Sequence, residues 1–369
     1  MNKMQNFEKP TIIHLVLNKE WGGGEQYVYD LCRHLQQEGY PVWVVSRPVP
    51  AVIQRLESLH ARLLTLPLRG VPDVWSAWAL ARLLREAHNP VIHVHNFKAA
   101  FIAVFARTLS GRPARIVVSR HLVRKGKTGW LYRYLYKQVD RIIFVSRLAQ
   151  RQFLSTRPKI ETSKLTVVYN SIIPIPTAAP DSPLRTQFGI APETPILMYH
   201  GRLAEEKGLR VLLKAVAQLQ DVPYVLMLIG CGDAAFEDTL QHDIATLHLQ
   251  DKVHLLGFHA NVYPLIHQCD IGLVPSIVAE SISLASLEYM SQGKPIVATN
   301  NGGQVEIIAN QRNGILVPPH DPTAMAQAIR TLLLHPDMRH SMGTQSLHDF
   351  QQQHSYAVFY QQIKKVYFQ

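Results

Sequence analysis

Glu280 and Glu288 have seven residues between them, in the run Glu280-Ser281-Ile282-Ser283-Leu284-Ala285-Ser286-Leu287-Glu288. Upstream lies Gly201-Arg202-Leu203-Ala204-Glu205-Glu206-Lys207-Gly208, with two cations and two glycines at its ends. A guanidinium grips two phosphate oxygens in a planar fork, and a lysine ammonium is a mobile point charge. Carboxylates accept hydrogen bonds from hydroxyls. Cations for a diphosphate and carboxylates for hydroxyls together describe a site for a nucleotide-sugar. A helix near Ser281–Ser291 would put Glu280 just before it and Glu288 two turns inside, on one face, about 10–12 Å apart by helical rise. That separation is too long for the paired carboxylates of a glycoside hydrolase and suits the two ends of an elongated ligand. The plainer alternative is an acid favoured by the helix dipole beside an unrelated surface glutamate, with Arg202 and Lys207 solvated against Glu205 and Glu206.

Such residues need elements to hold them. Thr11–Leu17, Val42–Ser46, Val91–His95, Arg115–Ser119, Arg141–Val145 and Leu165–Tyr169 are short, apolar and β-rich, as buried parallel strands are. Amphipathic stretches such as Gly24–Gln37 and Trp75–Glu86 alternate with them. A second alternating set follows: Pro195–His200, Tyr224–Ile229, Val253–Leu256, Ile271–Pro275, Pro295–Ala298 and Gly314–Val317. Between the sets, Ile172–Pro183 holds four prolines in twelve residues and reads as a linker. The expectation is two doubly wound α/β domains with a cleft between them. Their expected bounds are 1–178 and 179–354, with a last helix at about 355–369 crossing back to the first.

In open α/β sheets, ligands sit at the carboxyl ends of the strands. The reactive residues fall there repeatedly: Gly22-Gly23-Gly24, His95, His121, Arg202, the Gly230-Cys231-Gly232-Asp233 turn and Glu280. The glycines at 22–24 let backbone approach a ligand, or form a tight structural turn; they match neither the Walker nor the dinucleotide fingerprint. His95 and His121 suit a general base, a sugar ligand or a satisfied core histidine. No H-x3-H, C-x2-C or D-x-D occurs, so no metal site is expected.

The charge is divided unevenly. Residues 1–185 hold 27 Lys and Arg against 11 Asp and Glu, and the remainder holds 11 against 16. A basic half seeks an anionic partner. Arg112–Arg151 carries eleven cations and one acid, Asp140, and Trp130–Lys137 interleaves aromatics with bases. Such a helix suits a membrane interface; nucleic-acid stacking and a plain surface helix are the rivals. The longest apolar run, Ala99–Ala106, is too short to span a bilayer, and Met1–Pro10 has no secretory h-region. Cys32, Cys231 and Cys269 are odd in number and widely spaced, as in a reduced cytosolic protein.

These motifs resemble the retaining glycosyltransferases of family 4, which share the two-domain GT-B fold. The resemblance runs over almost the whole chain: Gly22/Gly23 to Glu25, Gly201 to Gly208, Glu280 with Glu288, Gly293 to Thr299, and Gly302, Gly303 and Glu306. It implies that Arg202 and Lys207 hold the donor diphosphate, Glu288 the ribose hydroxyls and Glu280 the donor sugar. Ser283 and Leu284 would meet phosphate and sugar through their backbone, and Phe258 would border the base. Gly23, Gly24, Gly201 and Gly230 would line the donor site, and His121 would lie at the donor sugar's reacting face. The acceptor would meet His95, Arg120, Arg124 and Lys125. Two departures stand out: Glu280-Ser281-Ile282-Ser283 where the family has Glu-Gly-Phe-Gly, and Asn170-Ser171 for Asn-Gly.

The resemblance therefore implies a metal-independent, retaining transferase with no cofactor, a UDP-sugar being favoured as donor. The basic first half points further to an anionic or phosphorylated glycan or lipid-linked acceptor, and to an anionic membrane surface, at the inner face of the cytoplasmic membrane, met through Trp130–Lys137. Lipopolysaccharide, capsule or another envelope glycan would be the product, and no nucleic-acid partner is expected. An epimerase or phosphorylase on the same scaffold is the alternative, and a nucleic-acid-binding protein a more distant one.

Overall fold

The computed structural model describes residues 9–17, 23–71, 73–175 and 183–369. Gly22 and part of the proline-rich linker lie outside the described residues. The chain divides into two compact units, residues 1–170 with 359–369, and residues 171–358.

The first unit runs β1 (Ile12–Val16), α1 (Gly23–Gln37), β2 (Val42–Ser46), α2 (Pro50–Glu57), β3 (Arg62–Thr65), α3 (Val74–Glu86) and β4 (Val91–Val94). It continues through α4 (Phe97–Ser110), β5 (Arg115–Arg120), α5 (Trp130–Gln138), β6 (Arg141–Phe144), α6 (Arg147–Leu154) and β7 (Leu165–Val167). The second unit runs α7 (Leu184–Gln187), β8 (Ile196–His200), α8 (Leu209–Val216), β9 (Val225–Ile229), α9 (Ala234–Thr246), β10 (Val253–Gly257), α10 (Tyr263–Gln268) and β11 (Ile271–Val274). After these come α11 (Leu284–Ser291), β12 (Ile296–Thr299), α12 (Gln304–Ile307), β13 (Gly314–Val317), α13 (Pro322–Leu334) and α14 (Pro336–Asp349). A π-helical turn, Phe350–His354, leads into α15 (Tyr356–Phe368).

Both sheets are parallel, ordered β3-β2-β1-β4-β5-β6-β7 and β10-β9-β8-β11-β12-β13. The chain reverses its direction of travel between β1 and β4, and again between β8 and β11, so each sheet has one topological switch point. Right-handed crossovers put α3, α4, α5 and α6 on one face of the first sheet and α1 and α2 on the other. Helix α15 joins the α1 side, where the Phe359 ring meets Tyr27 edge-on with centroids 5.3 Å apart.

The strands form because apolar runs bury on both faces; β1, β4, β8, β9, β11 and β12 are buried throughout. Local chemistry starts and stops the helices. Asn96 accepts from Ala99 N at the head of α4, Ser146 from Ala149 N at α6, and Asp321 from Ala324 N at α13. Helix α4 ends at Gly111, whose φ of 67° is left-handed. The short edge strand β3 has no counterpart among the expected elements. Arg62 and Thr65 are exposed and β3 ends the sheet, so it carries no apolar run to read.

Candidate active site

At the switch point of the second sheet, the loops after β8 and β11 carry the donor candidates. Lys207 closes a 3-10 turn, Glu205–Lys207, and Gly208 then takes a left-handed φ of 72° to start α8. A Cβ on Gly208 would lie 2.0 Å from the Pro275 carbonyl oxygen, so only glycine lets the loop after β8 lie against the loop after β11. Gly208 thus clears room for neighbouring backbone. The same holds for Gly230, whose Cβ would sit 1.8 Å from the Gly201 oxygen.

That approach brings Lys207 Nζ 2.7 Å from Glu280 Oε1, and Ser276 Oγ donates to the same oxygen at 2.6 Å. Both side chains of the ion pair keep about a quarter of their surface open to solvent. Arg202 stands apart: it is exposed and pairs with Glu206 in its own loop.

Glu280 itself is placed by the paired glycines that follow β12. Gly303 N donates to the Glu280 carbonyl at 2.7 Å, and a Cβ on Gly303 would fall 1.2 Å from the Ser281 oxygen. Gly302, at φ 67°, would clash with the Glu280 oxygen at 2.1 Å. Gln304 continues the lock, accepting from Ser286 Oγ at 2.9 Å on α11. Gly303→Ala must push the Glu280 loop away, and the expected result is a loss of at least about 2 kcal/mol of stability together with most of the activity. Thermal unfolding and a turnover assay on this variant check it; wild-type values in both would mean that the glycines do not set the loop.

Helix α11 starts at Leu284, three residues later than expected, so Glu288 lies one turn inside it rather than two. Its Oε2 accepts from His200 Nε2 at 2.5 Å. His200 ends β8, is buried, and its Nδ1 has no hydrogen-bond partner. The two glutamates are thus held by different partners, one by an ammonium and a hydroxyl, the other by an imidazole. Ser283, just before α11, has φ −74° and ψ 126°, an ordinary extended conformation. A serine replaces the family's glycine there without backbone strain. Phe258 follows β10 and is 71% exposed, free to cover a flat ligand.

The first unit gathers histidines at its own switch point. His14 on β1 and His93 on β4 are register partners, both fully buried, and His95 lies two residues on. His14 Nδ1 is 3.3 Å from His95 Nε2, and His95 Nδ1 is 3.3 Å from His121 Nε2. His93 is satisfied separately, by Tyr367 Oη at 2.6 Å and Ser119 Oγ at 2.7 Å. Tyr27 of α1 meets the His93, His95 and His121 rings edge-on. Burial pushes His14 down to about 3 and His121 to about 4, and holds His93 and His95 well below the ordinary histidine value, where the neighbouring rings reinforce it. At neutral pH these are uncharged imidazoles. One nitrogen each of His14, His93 and His95 lies within 4.8 Å of the others, the spacing of a metal-capable trio. Both His93 nitrogens already have hydroxyl partners, so ligation would require one to be given up.

The expected acceptor set divides. Arg120 does not join His95 and His121: its guanidinium lies 5.0 Å from the Phe97 and Phe153 ring centroids, on the α4 and α6 side of the sheet, and donates to the Arg124 carbonyl. It anchors the loop in which Arg124 and Lys125 are exposed. Gly23 and Gly24 are the first two residues of α1. The residues missed, Ser276, His200, His14 and His93, all sit on or just after central strands, and His93-x-His95 was readable as two residues on one face of a strand.

Two parallel sheets in this order, each with polar side chains gathered at its switch point, are the GT-B fold of glycosyltransferases. Solved structures share it: a glycosyltransferase of Rickettsia africae (TM-score 0.84, 20% identity, 98% of each chain) and Anabaena HepE in complex with UDP (0.82, 21%, 96% of this chain and 98% of that one). Residues 21–174 match the Glycosyltransferase Family 4 domain and residues 181–348 the Glycosyl transferases group 1 domain, so the chain belongs to this glycosyltransferase family. It is 25% identical to the alpha-D-kanosaminyltransferase of Streptomyces kanamyceticus over 85% of this chain and 91% of that one. It is 26% identical to an uncharacterised glycosyltransferase of Methanocaldococcus jannaschii over 66% of each.

Proposed function

We propose that this glycosyltransferase moves a sugar from a UDP-sugar to a glycan or glycolipid acceptor, with retention and without a metal ion, in envelope glycan synthesis at the cytoplasmic face of the membrane. The observation that carries the donor half is the meeting of Lys207 and Ser276 on one oxygen of Glu280 at the β8/β11 switch point. Lys207 and Arg202 take the diphosphate, and the open amides at the head of α11 add their partial charge. Glu280 accepts from the donor sugar, Glu288 from the ribose, and Phe258 lies against the base. UDP in the Anabaena HepE structure, which shares the fold, supports uridine.

The bond from the anomeric carbon to the diphosphate breaks as the bond to the acceptor oxygen forms, and the departing phosphate takes the acceptor's proton. Fixed cations stabilise charge where it develops, which is worth more than the same contacts in the ground state. His121 and His95, being neutral, offer hydrogen bonds to sugar hydroxyls rather than positive charge. A thermal-shift panel of UDP, GDP, CDP and ADP, each with and without EDTA, tests the donor. UDP alone is expected to stabilise, by about 2.7 kcal/mol at one hundred times its Kd, and to do so in EDTA. A shift only with another nucleotide, or one abolished by EDTA, overturns the uridine or the metal-free part.

The acceptor half rests on charge. No helix among the described residues is long and apolar enough to cross a membrane. Helix α5 exposes Trp130, Arg133, Tyr134 and Lys137 while burying Leu135 and Tyr136, the division expected of a helix that lies in an anionic lipid interface.

A further inference from the structure

A second exposed aromatic site stands on the first unit. At the head of α3, Val74 is 67% exposed, Trp75 69% and Trp78 46%, with the two indoles stacked at 5.9 Å. The Arg82 guanidinium lies 5.2 Å from the Trp78 ring centroid. The opposite side of the helix explains itself: Ala77, Leu80, Ala81 and Leu84 fill the core, and Asp73 caps the first turn through Ser76 N. Nothing in core packing calls for two tryptophans on the outer side, where a helix facing water carries polar residues.

The position of α3 links this patch to α5. Helices α3, α4 and α5 lie on one face of the sheet, and each begins at the strands' carboxyl end. The loop leading into α3 touches α4, since a Cβ on Gly70 would meet the Lys98 side chain at 3.6 Å. Helix α4 touches α5 in turn, through Phe97 and Tyr132, edge-on at 6.2 Å. Lys127 lies over the same Tyr132 ring at 4.9 Å, and Trp130, the first residue of α5, is 78% exposed. The charge along this rim has one sign. Across residues 66–82, 95–101 and 120–138 there are nine Lys and Arg and one acid, Asp73, which is buried in its cap.

We propose that the leading ends of α3, α4 and α5 form one lipid-docking rim that seats the first domain on an anionic bilayer, with Trp75 and Trp78 as a second anchor beside Trp130. The proposal deepens the lipid-surface reading of α5 and rests on it. Indoles settle at headgroup depth with their apolar bodies inward, and cations such as Lys98, Lys127 and Arg82 reach lipid phosphates from the same plane. Two anchors on separate helices would also fix the tilt of the domain on the membrane, which one helix would leave free to rotate.

Co-sedimentation of the full chain with sucrose-loaded vesicles, rich in phosphatidylglycerol or made of phosphatidylcholine alone, tests it. The wild type is expected to prefer the anionic vesicles, and brominated lipid to quench its tryptophan emission. The double variant W75S/W78S is expected to partition at least about tenfold more weakly, and W130S to weaken independently of it. Both should keep the stabilisation by UDP, whose proposed site lies in the other unit, so a failed donor reading cannot be mistaken for a failed docking surface. If W75S/W78S binds like wild type while W130S does not, the α3 anchor is wrong and the α5 reading stands. Equal binding to phosphatidylcholine overturns the charge argument. Loss of self-association in W75S/W78S with lipid binding intact makes the patch a protein contact, and overturns the proposal as well.

Discussion

Lys207→Ala is expected to lower turnover at least about 100-fold, on the scale of removing one preorganised charge-stabilising donor, and Glu280→Ala to do the same. In the proposed donor site, this pair is the arrangement before the donor arrives. Lys207 and Ser276 hold the Glu280 carboxylate in place, and an arriving diphosphate brings more negative charge to Lys207 than the carboxylate alone supplies. Because charge on the diphosphate grows as the sugar leaves, the loss should fall on kcat more than on KM. Stability should change little, since the pair is partly open to water and such pairs contribute on the order of 1 kcal/mol or less. Lys207→Arg separates charge from placement: a guanidinium keeps the charge but cannot reproduce the single point contact on Oε1. Arg202→Ala is expected to cost less than Lys207→Ala, because Arg202 is exposed and already held by Glu206. Steady-state kinetics beside thermal unfolding read all four. Turnover within about threefold of wild type in Lys207→Ala or Glu280→Ala would remove that residue from the site.

Much of this was legible in the sequence because parallel strands buried on both faces leave an unbroken apolar run. Val225–Ile229 is such a run, and so is Ile196–Met198, which leads into Tyr199 and His200. Runs of that kind give the strands, the alternation gives the sheets, and the carboxyl-end rule gives the neighbourhood of the site. What did not come through is whatever depends on which loops touch. Nothing in the 201–208 stretch itself shows that Gly208 lies against Pro275, or that Gly201 lies against Gly230. Ser276 carries no signal beyond following a strand, yet it shares an oxygen with Lys207. The placement of Arg120 follows a related rule. Adjacent strand-end residues point to opposite faces, so Arg120 and His121 separate although they are neighbours in sequence.

The histidines at the β1/β4 switch point set the second large effect, on pH. Each is neutral in the fold and has an ordinary value near 6.5 once unfolded. Below that value the unfolded chain takes up protons that the native chain refuses, so stability falls as pH falls. The loss begins near pH 6.5 and continues to about pH 4, where His121 starts to protonate in the fold, and further for His14. Each histidine kept neutral contributes a loss of about 1.4 kcal/mol per pH unit across that window. None of the four is shown gaining from a carboxylate, and for His93 and His95 the other rings add to the burial. Four such groups acting together can remove the stability of an ordinary domain, roughly 5–15 kcal/mol, within two to three pH units. The first domain is therefore expected to unfold in mild acid, between about pH 4 and 5.5, with uptake of three to four protons. Unfolding followed by circular dichroism from pH 7.5 to 4 gives that slope. His14→Leu is the informative variant, because it removes one buried imidazole whose Nε2 has no partner. It should lower the slope by about one proton and move the acid midpoint down, even though His95 loses a neighbour. A slope near zero in the wild type, or a midpoint unmoved by His14→Leu, would mean that the ring cluster opens to water and takes up protons while the domain stays folded.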